Sequence, residues 1–152
     1  MSAPALVHYT KVADYRSHFE RCYCRKEVNT HDEIRVFFHP RDFNHAFFES
    51  SNRDGTKDQF SQVRAERIDW IKATLANPAA DRYQGWNARK KIYEPVRRVD
   101  VVYEDFVVVI AISKDRNGRL KGNFITCYQA DNSIGKIRQS PVWDYQACVN
   151  AL

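Results

Sequence analysis

The chain has 152 residues, 43% hydrophobic and 13% aromatic, enough apolar material for one sizeable core without crosslinks, so a single main domain is expected. A net charge of +5 and a pI near 9.1 favour an acidic partner, nucleic acid being the commonest. No run approaches the length of a bilayer span, and Met1 to His8 lacks a basic segment followed by an apolar one, so no membrane association and a cytoplasmic location are expected. Four cysteines are too few for a disulfide framework in a chain this long, which fits a reducing compartment.

Residues 1–33 are polar, mixed in charge and irregular in period, and read as an N-terminal extension packed on a domain spanning 34–152, with a helix from Val12 to Arg21. Cys22-Tyr23-Cys24 lies near His18 and His31, which raises a metal site. The C-x-C spacing is tighter than structural zinc pairs use and a second pair is missing, so no metal ligand and no cofactor is assigned. Ile34 to Phe38 is a short strand, stopped at His39-Pro40 because proline removes a donor and holds its predecessor extended. Asp42 caps a short helix, Phe43 to Ser50, with Phe43, Ala46 and Phe47 on one face. Ser51 to Lys57 is rich in turn formers.

Asp58 or Ser61 caps a long helix in which Arg64, Ile68, Ile71 and Leu75 form one stripe, ended by Asn77-Pro78. A cation at the head of an apolar stripe either snorkels to solvent or points at something anionic beside the core. Arg82 to Pro95 reads as a loop running into a strand at Lys91-Ile92-Tyr93. Its cations Arg82, Arg89, Lys90 and Lys91 surround Gly85-Trp86-Asn87, a pattern that suits phosphates and stacked bases, or equally solvated charges beside a core tryptophan.

Three β-like runs follow, Arg97 to Tyr103, Phe106 to Ser113 and Lys121 to Ala130, joined by Glu104-Asp105 and by a turn containing Asn117-Gly118. The middle run is apolar on both faces and should be central. In the last, the two-residue period puts Asn123, Ile125 and Cys127 on one face and Phe124, Thr126 and Tyr128 on the other. The expected class is therefore α+β, with N-terminal helices packed on one face of an antiparallel β-meander sheet of about four to five strands.

The helix Arg64-Ala65-Glu66-Arg67-Ile68-Asp69-Trp70-Ile71, then Lys91-Ile92-Tyr93, Val107 to Ile110 and Phe124-Ile125-Thr126-Cys127-Tyr128, together resemble the barnase, EndoU, colicin tRNase and RelE type of small nuclease, particularly its phage-associated branch. The resemblance spans roughly Ile34 to Trp143. It implies metal-independent endoribonuclease activity, in which the RNA 2′-hydroxyl attacks the adjacent phosphate. Such a site needs an acid or base and cations for the transition state. His45 is the candidate acid or base, with His39 a weaker competitor, and a solvent-facing helix histidine is the plainer reading of His45.

Under the same resemblance Arg64 and Lys91 are the candidate transition-state cations, and Thr126 and Tyr128 orient phosphate or ribose by hydrogen bonds. Arg67, Arg89, Lys90, Lys136 and Arg138 hold the RNA backbone. Cys127 stands where many relatives carry alanine, and the barnase-type glutamate, arginine and histidine do not map position by position. The expected partners are RNA, as tRNA or mRNA, and an antitoxin or immunity protein. The competing readings are a non-catalytic RNA-binding or protein-binding module, and an accessory protein docking through Lys136 to Trp143.

Overall fold

Five consecutive apolar residues, Phe106 to Ile110, demand cover on both faces of a strand, and all five are buried. The computed structural model, which describes residues 3–50 and 58–152, provides that cover from two separate layers. The turn-rich run from Ser51 to Lys57 lies outside the described residues.

The main sheet has six strands: β1 (Val28–Asn29), β2 (Arg35–Phe37), β5 (Asp81–Asn87), β6 (Ile92–Tyr103), β7 (Phe106–Lys114) and β8 (Leu120–Gln129). Their spatial order is β1-β2-β8-β7-β6-β5. All neighbours are antiparallel except β2 and β8, which run parallel with Arg35 to Phe37 beside Lys121 to Asn123. A separate two-stranded ribbon joins β3 (Phe48–Glu49) to β4 (Gln59–Phe60). The architecture is α+β, but the expected antiparallel meander of four to five strands is corrected to a six-stranded mixed sheet with a ribbon beside it.

One face of the sheet carries the larger core. Helices α1 (Val12–Phe19), α2 (Asp42–Phe47), α3 (Gln62–Ala65), α4 (Ile68–Ala76) and α6 (Tyr145–Ala151) supply buried residues to the same cluster as Val99, Val108, Ile110 and Phe124. Phe19 sits at its centre, with ring centroids of Tyr23, Phe38, Phe43, Phe47 and Phe124 all within 6.1 Å. Beyond Phe19 the helix widens into a single π turn, Glu20–Cys24. The first 33 residues thus contribute a strand to the sheet and several of the most deeply buried side chains.

The expected long helix is two. Ser61 caps α3 by accepting from the Arg64 amide at 3.3 Å. Arg67 then leaves helical geometry at φ −96°, ψ 20°, and α4 restarts at Ile68. The short helix expected to reach Ser50 ends at Phe47, where the chain turns extended to form β3. The stretch read as a loop before Lys91 is strand β5, and Lys91 itself lies in the following turn at φ +56°.

A β-bulge corrects the face assignment of β8. Val109 pairs with Thr126 but Ile110 pairs with Phe124, so Ile125 is the extra residue and the two-residue alternation slips by one. Phe124 and Cys127 consequently both join the helix-side core, while Thr126 and Tyr128 share the opposite face with Val109 and Val107. That second face holds a smaller cluster, Tyr83, Val102, Val107, Val109 and Ala130, capped by Ile134 and Ile137 of helix α5 (Ile134–Ile137).

Candidate functional site

The smaller cluster covers only part of the second sheet face, and the remainder is open. The β6–β7 turn anchors the covering segment: the Asp105 carbonyl accepts from the Ala130 amide at 2.7 Å, and Arg138 donates to the Glu104 carbonyl at 2.8 Å while pairing with Asp81 at 2.8 Å. Beside the segment so held lies a cavity of about 290 Å³, lined by Trp86, Tyr93, Asp100, Tyr128, Lys136, Ile137 and Ser140.

Register explains the convergence. Trp86 and Tyr93 are cross-strand partners whose rings meet edge to face, 5.0 Å between centroids. Asp100 pairs with Tyr83 on one side and Val109 on the other, so its carboxyl shares a face with the second cluster. Tyr128 pairs with Val107. Trp86 is 48% exposed, unusual for a large ring in a strand, and is available to an outside partner.

Two of the cavity's titratable groups are shifted by burial. Burial pushes the Asp100 carboxyl up to about 6, against an opposing pull from the Arg98 charge. Among the described residues no donor reaches that carboxyl. The Tyr128 hydroxyl is also raised, first by burial and then by Asp100, with Arg64 and Arg98 pulling the other way. Arg98 joins Arg97, Asn87, Glu94, Ala111 and Ile125 in lining a neighbouring hollow of about 160 Å³. Among the described residues neither arginine nor Lys136 forms an ion pair.

Glycine at 85 is what lets Arg98 lie where it does. The register jumps there, from Gln84 opposite Val99 to Gly85 opposite Glu94, and residues 95–98 bulge out of the ladder. A Cβ on Gly85 would sit 2.3 Å from the Arg98 Cγ and 2.9 Å from its Cβ. Gly85→Ala is therefore expected to cost about 1–3 kcal/mol, seen as a lower urea midpoint. An unchanged midpoint would show that the Arg98 stem is not held.

The residues expected from the sequence separate into groups. Tyr128 and Lys136 line the cavity. Arg89, Lys90 and Lys91 form the turn between the strands that carry Trp86 and Tyr93, with the Arg89 and Lys90 amides bound to the Asn87 side chain, both at 3.1 Å. Thr126 pairs with Val109 on the same face but is outside the cavity lining. His45 is on α2, exposed, in a helix whose buried side packs into the opposite core.

Arg64 donates to the Ala46 carbonyl at 3.1 Å and pairs with Glu49 at 3.4 Å, tying α3 to the end of α2. Arg67 donates to the Val63 carbonyl at 2.8 Å, pairs with Glu66 at 3.2 Å and lies over the Trp70 ring. Arg138 is committed to the anchor described above. Cys127 is fully buried on the helix side, its thiol pushed up to about 12 by burial. Burial likewise pushes Cys24 up to about 11. Among the described residues no group of three or more His, Cys, Asp or Glu side chains is placed to hold a metal ion, and no helix is long and apolar enough to cross a membrane.

Asp100, Arg98 and Tyr93 were not singled out from the sequence as site residues. The available signal was weak: one carboxylate interrupting Val99-Asp100-Val101-Val102, on a strand whose neighbours are apolar. No protein-family model, no curated protein and no solved structure matches the chain.

Proposed function

We propose that the open sheet face binds single-stranded RNA. The observation that carries this is the pairing of exposed Trp86 with Tyr93 in the lining of a cavity that also holds Lys136, with Arg98 in the adjoining hollow and the cationic turn Arg89-Lys90-Lys91 joining the two aromatic strands. Rings offer stacking surfaces to unpaired bases and cations track the backbone. A duplex, whose bases are already stacked on one another, cannot use the rings in this way.

Trp86→Ala should lower affinity for a single-stranded hexamer about tenfold or more, since one stacked base contributes about 1–3 kcal/mol. Fluorescence anisotropy with labelled RNA measures it. Affinity that survives the substitution, or that is equal for duplex and single strand, argues against this face. A cation-lined site also implies salt dependence, and Lys136→Ala should make the slope of log K against log salt shallower by about 0.7.

Metal-independent cleavage through the RNA 2′-hydroxyl is the second reading. It is supported by Tyr128 and Lys136 lying together beside Asp100, whose carboxyl titrates close enough to neutrality to exchange protons with substrate. Incubating the protein with total RNA in EDTA, beside Lys136→Ala and His45→Ala variants, decides it. Cleavage lost only in Lys136→Ala supports the open face. Loss in His45→Ala moves the chemistry to α2.

A further inference from the structure

The cavity beneath Trp86 and Tyr93 contains one feature that RNA binding in general does not require. Phosphate recognition uses cations, and stacking uses rings, but a carboxylate in the lining of an anion-binding surface repels the backbone it is meant to attract. Asp100 nevertheless sits there among Trp86, Tyr93, Tyr128 and Lys136, and among the described residues no group donates to it. A half-buried carboxylate without donors is destabilising until a ligand supplies them. We propose that this cavity is a base-reading pocket for guanine, in which Asp100 accepts two hydrogen bonds from the N1–H and N2–H edge of a base stacked on Trp86.

The choice of guanine follows from donor patterns. A carboxylate has two parallel acceptors and, ionised, no donor. Guanine alone among the four RNA bases presents two adjacent donors on its Watson–Crick edge. Adenine and cytosine each place a ring acceptor beside their amino group, and uracil flanks its single N–H with two carbonyls, so each sets a lone pair against one carboxylate oxygen. A guanidinium from a protein partner would match the two acceptors equally well, but the surrounding charge opposes it: Lys136 of α5 lines the pocket, and Arg98, two residues before Asp100 on the same strand, lines the adjoining hollow and acts on the Asp100 carboxyl. The same cations suit a base that carries a phosphate. At about 290 Å³ the cavity is near the small end of ligand pockets, room for one base and part of its sugar.

Protonation of Asp100 would replace one acceptor with a donor and remove the match. The titratable and charged groups around Asp100 are Arg98 and Tyr93 of its own strand, Tyr83 of β5, Tyr128 of β8 and Lys136 of α5, with Val109 of β7 apolar. Burial pushes the Asp100 carboxyl up to about 6, so a base preference that changes between pH 7.5 and 5 reports on it.

This inference rests on the RNA-binding reading, and the test separates the two. Four labelled RNA hexamers, uridine throughout or with a single guanine, adenine or cytosine at the third position, are titrated against the intact protein and its Asp100→Asn and Asp100→Ser variants. Melting curves accompany each variant to show that it is folded. At pH 7.5 the guanine hexamer should bind the intact protein at least about tenfold more tightly than the uridine one. In both variants that ratio should fall below about threefold. Lowering the pH to 5 should reduce the ratio in the intact protein but not in the variants.

Equal binding of all four hexamers by the intact protein overturns the base-reading pocket and leaves the RNA-binding face standing. A guanine preference that persists in both variants overturns the role of Asp100. Absence of binding to any hexamer overturns the RNA-binding reading and this inference with it.

Discussion

Truncating Phe19 to alanine removes about 3–5 kcal/mol of folding free energy, the ordinary cost of emptying a buried phenylalanine site whose walls cannot collapse. The walls here are five other rings, drawn from the π turn, the segment after β2, α2 and β8, and each would lose its contact with the same side chain. Rings are poor at closing a void because their shapes are rigid and their stacking partners are already set. Against a typical domain stability of about 5–15 kcal/mol, this is a large fraction of the total. Urea unfolding should show a midpoint shifted far down with little change in slope. Phe37→Ala provides the contrast: that ring is 38% exposed on β2 and should cost under about 1 kcal/mol. Comparable losses at the two positions would mean that Phe19 is not the centre of the core.

Asp100→Asn is expected to act in the other direction and to stabilise the protein at neutral pH. The carboxyl titrates near 3.8 in an unfolded chain and at about 6 in the folded one. Between those values the folded state binds more protons, so stability falls as pH rises from about 4 to about 6 and is level above that window. The full shift would correspond to about 3 kcal/mol, and partial exposure of the side chain reduces the expected loss to roughly 1–2 kcal/mol. Asparagine keeps the shape and has no charge to desolvate, so it escapes this loss. Melting temperatures of wild type and variant should coincide near pH 4 and separate by pH 7, with the variant higher. A variant less stable than wild type at pH 7 would falsify the claim that burial raises this carboxyl. Together with the hexamer titrations, such a gain would show a group kept at a cost to stability because ligand binding uses it.

How far the sequence could be read depended on how local each interaction is. The β7–β8 hairpin was legible because Asn117-Gly118 sits between two strand-like runs, and Gly118 indeed adopts φ +77°. β2 was legible as the run Ile34 to Phe38, but its parallel partner was not, because that partner lies near the far end of the chain, and β1, two residues long, carries no strand pattern of its own. The bulge at Ile125 breaks the alternation within β8, so a strict two-residue period put Phe124 on the face of Thr126 and Tyr128, whereas it packs with Cys127 in the helix-side core.

The site was partly visible for the same reason. Trp86 stood out as an aromatic residue among cations, although Gly85 and Asn87 disguised its strand as a loop. Arg64 and Arg67 stood out too, but spacing along a helix says nothing about a carbonyl such as that of Ala46 or a carboxylate such as Glu49 waiting elsewhere in the fold. Asp100 looked like the polar beat of an ordinary strand. Only the register shows that it faces two aromatic strands and a helix carrying a lysine.

The parallel pairing of β2 with β8 has a consequence for how the protein is made. Arg35 to Phe37 leave the ribosome early, but their strand partner, Lys121 to Asn123, is synthesised only after most of the chain. Phe19, Phe38, Phe43 and Phe47 must wait for Phe124 to complete the same cluster. During translation these early rings have no sheet to pack against, and the N-terminal third is the part of the nascent chain with most need of chaperone cover.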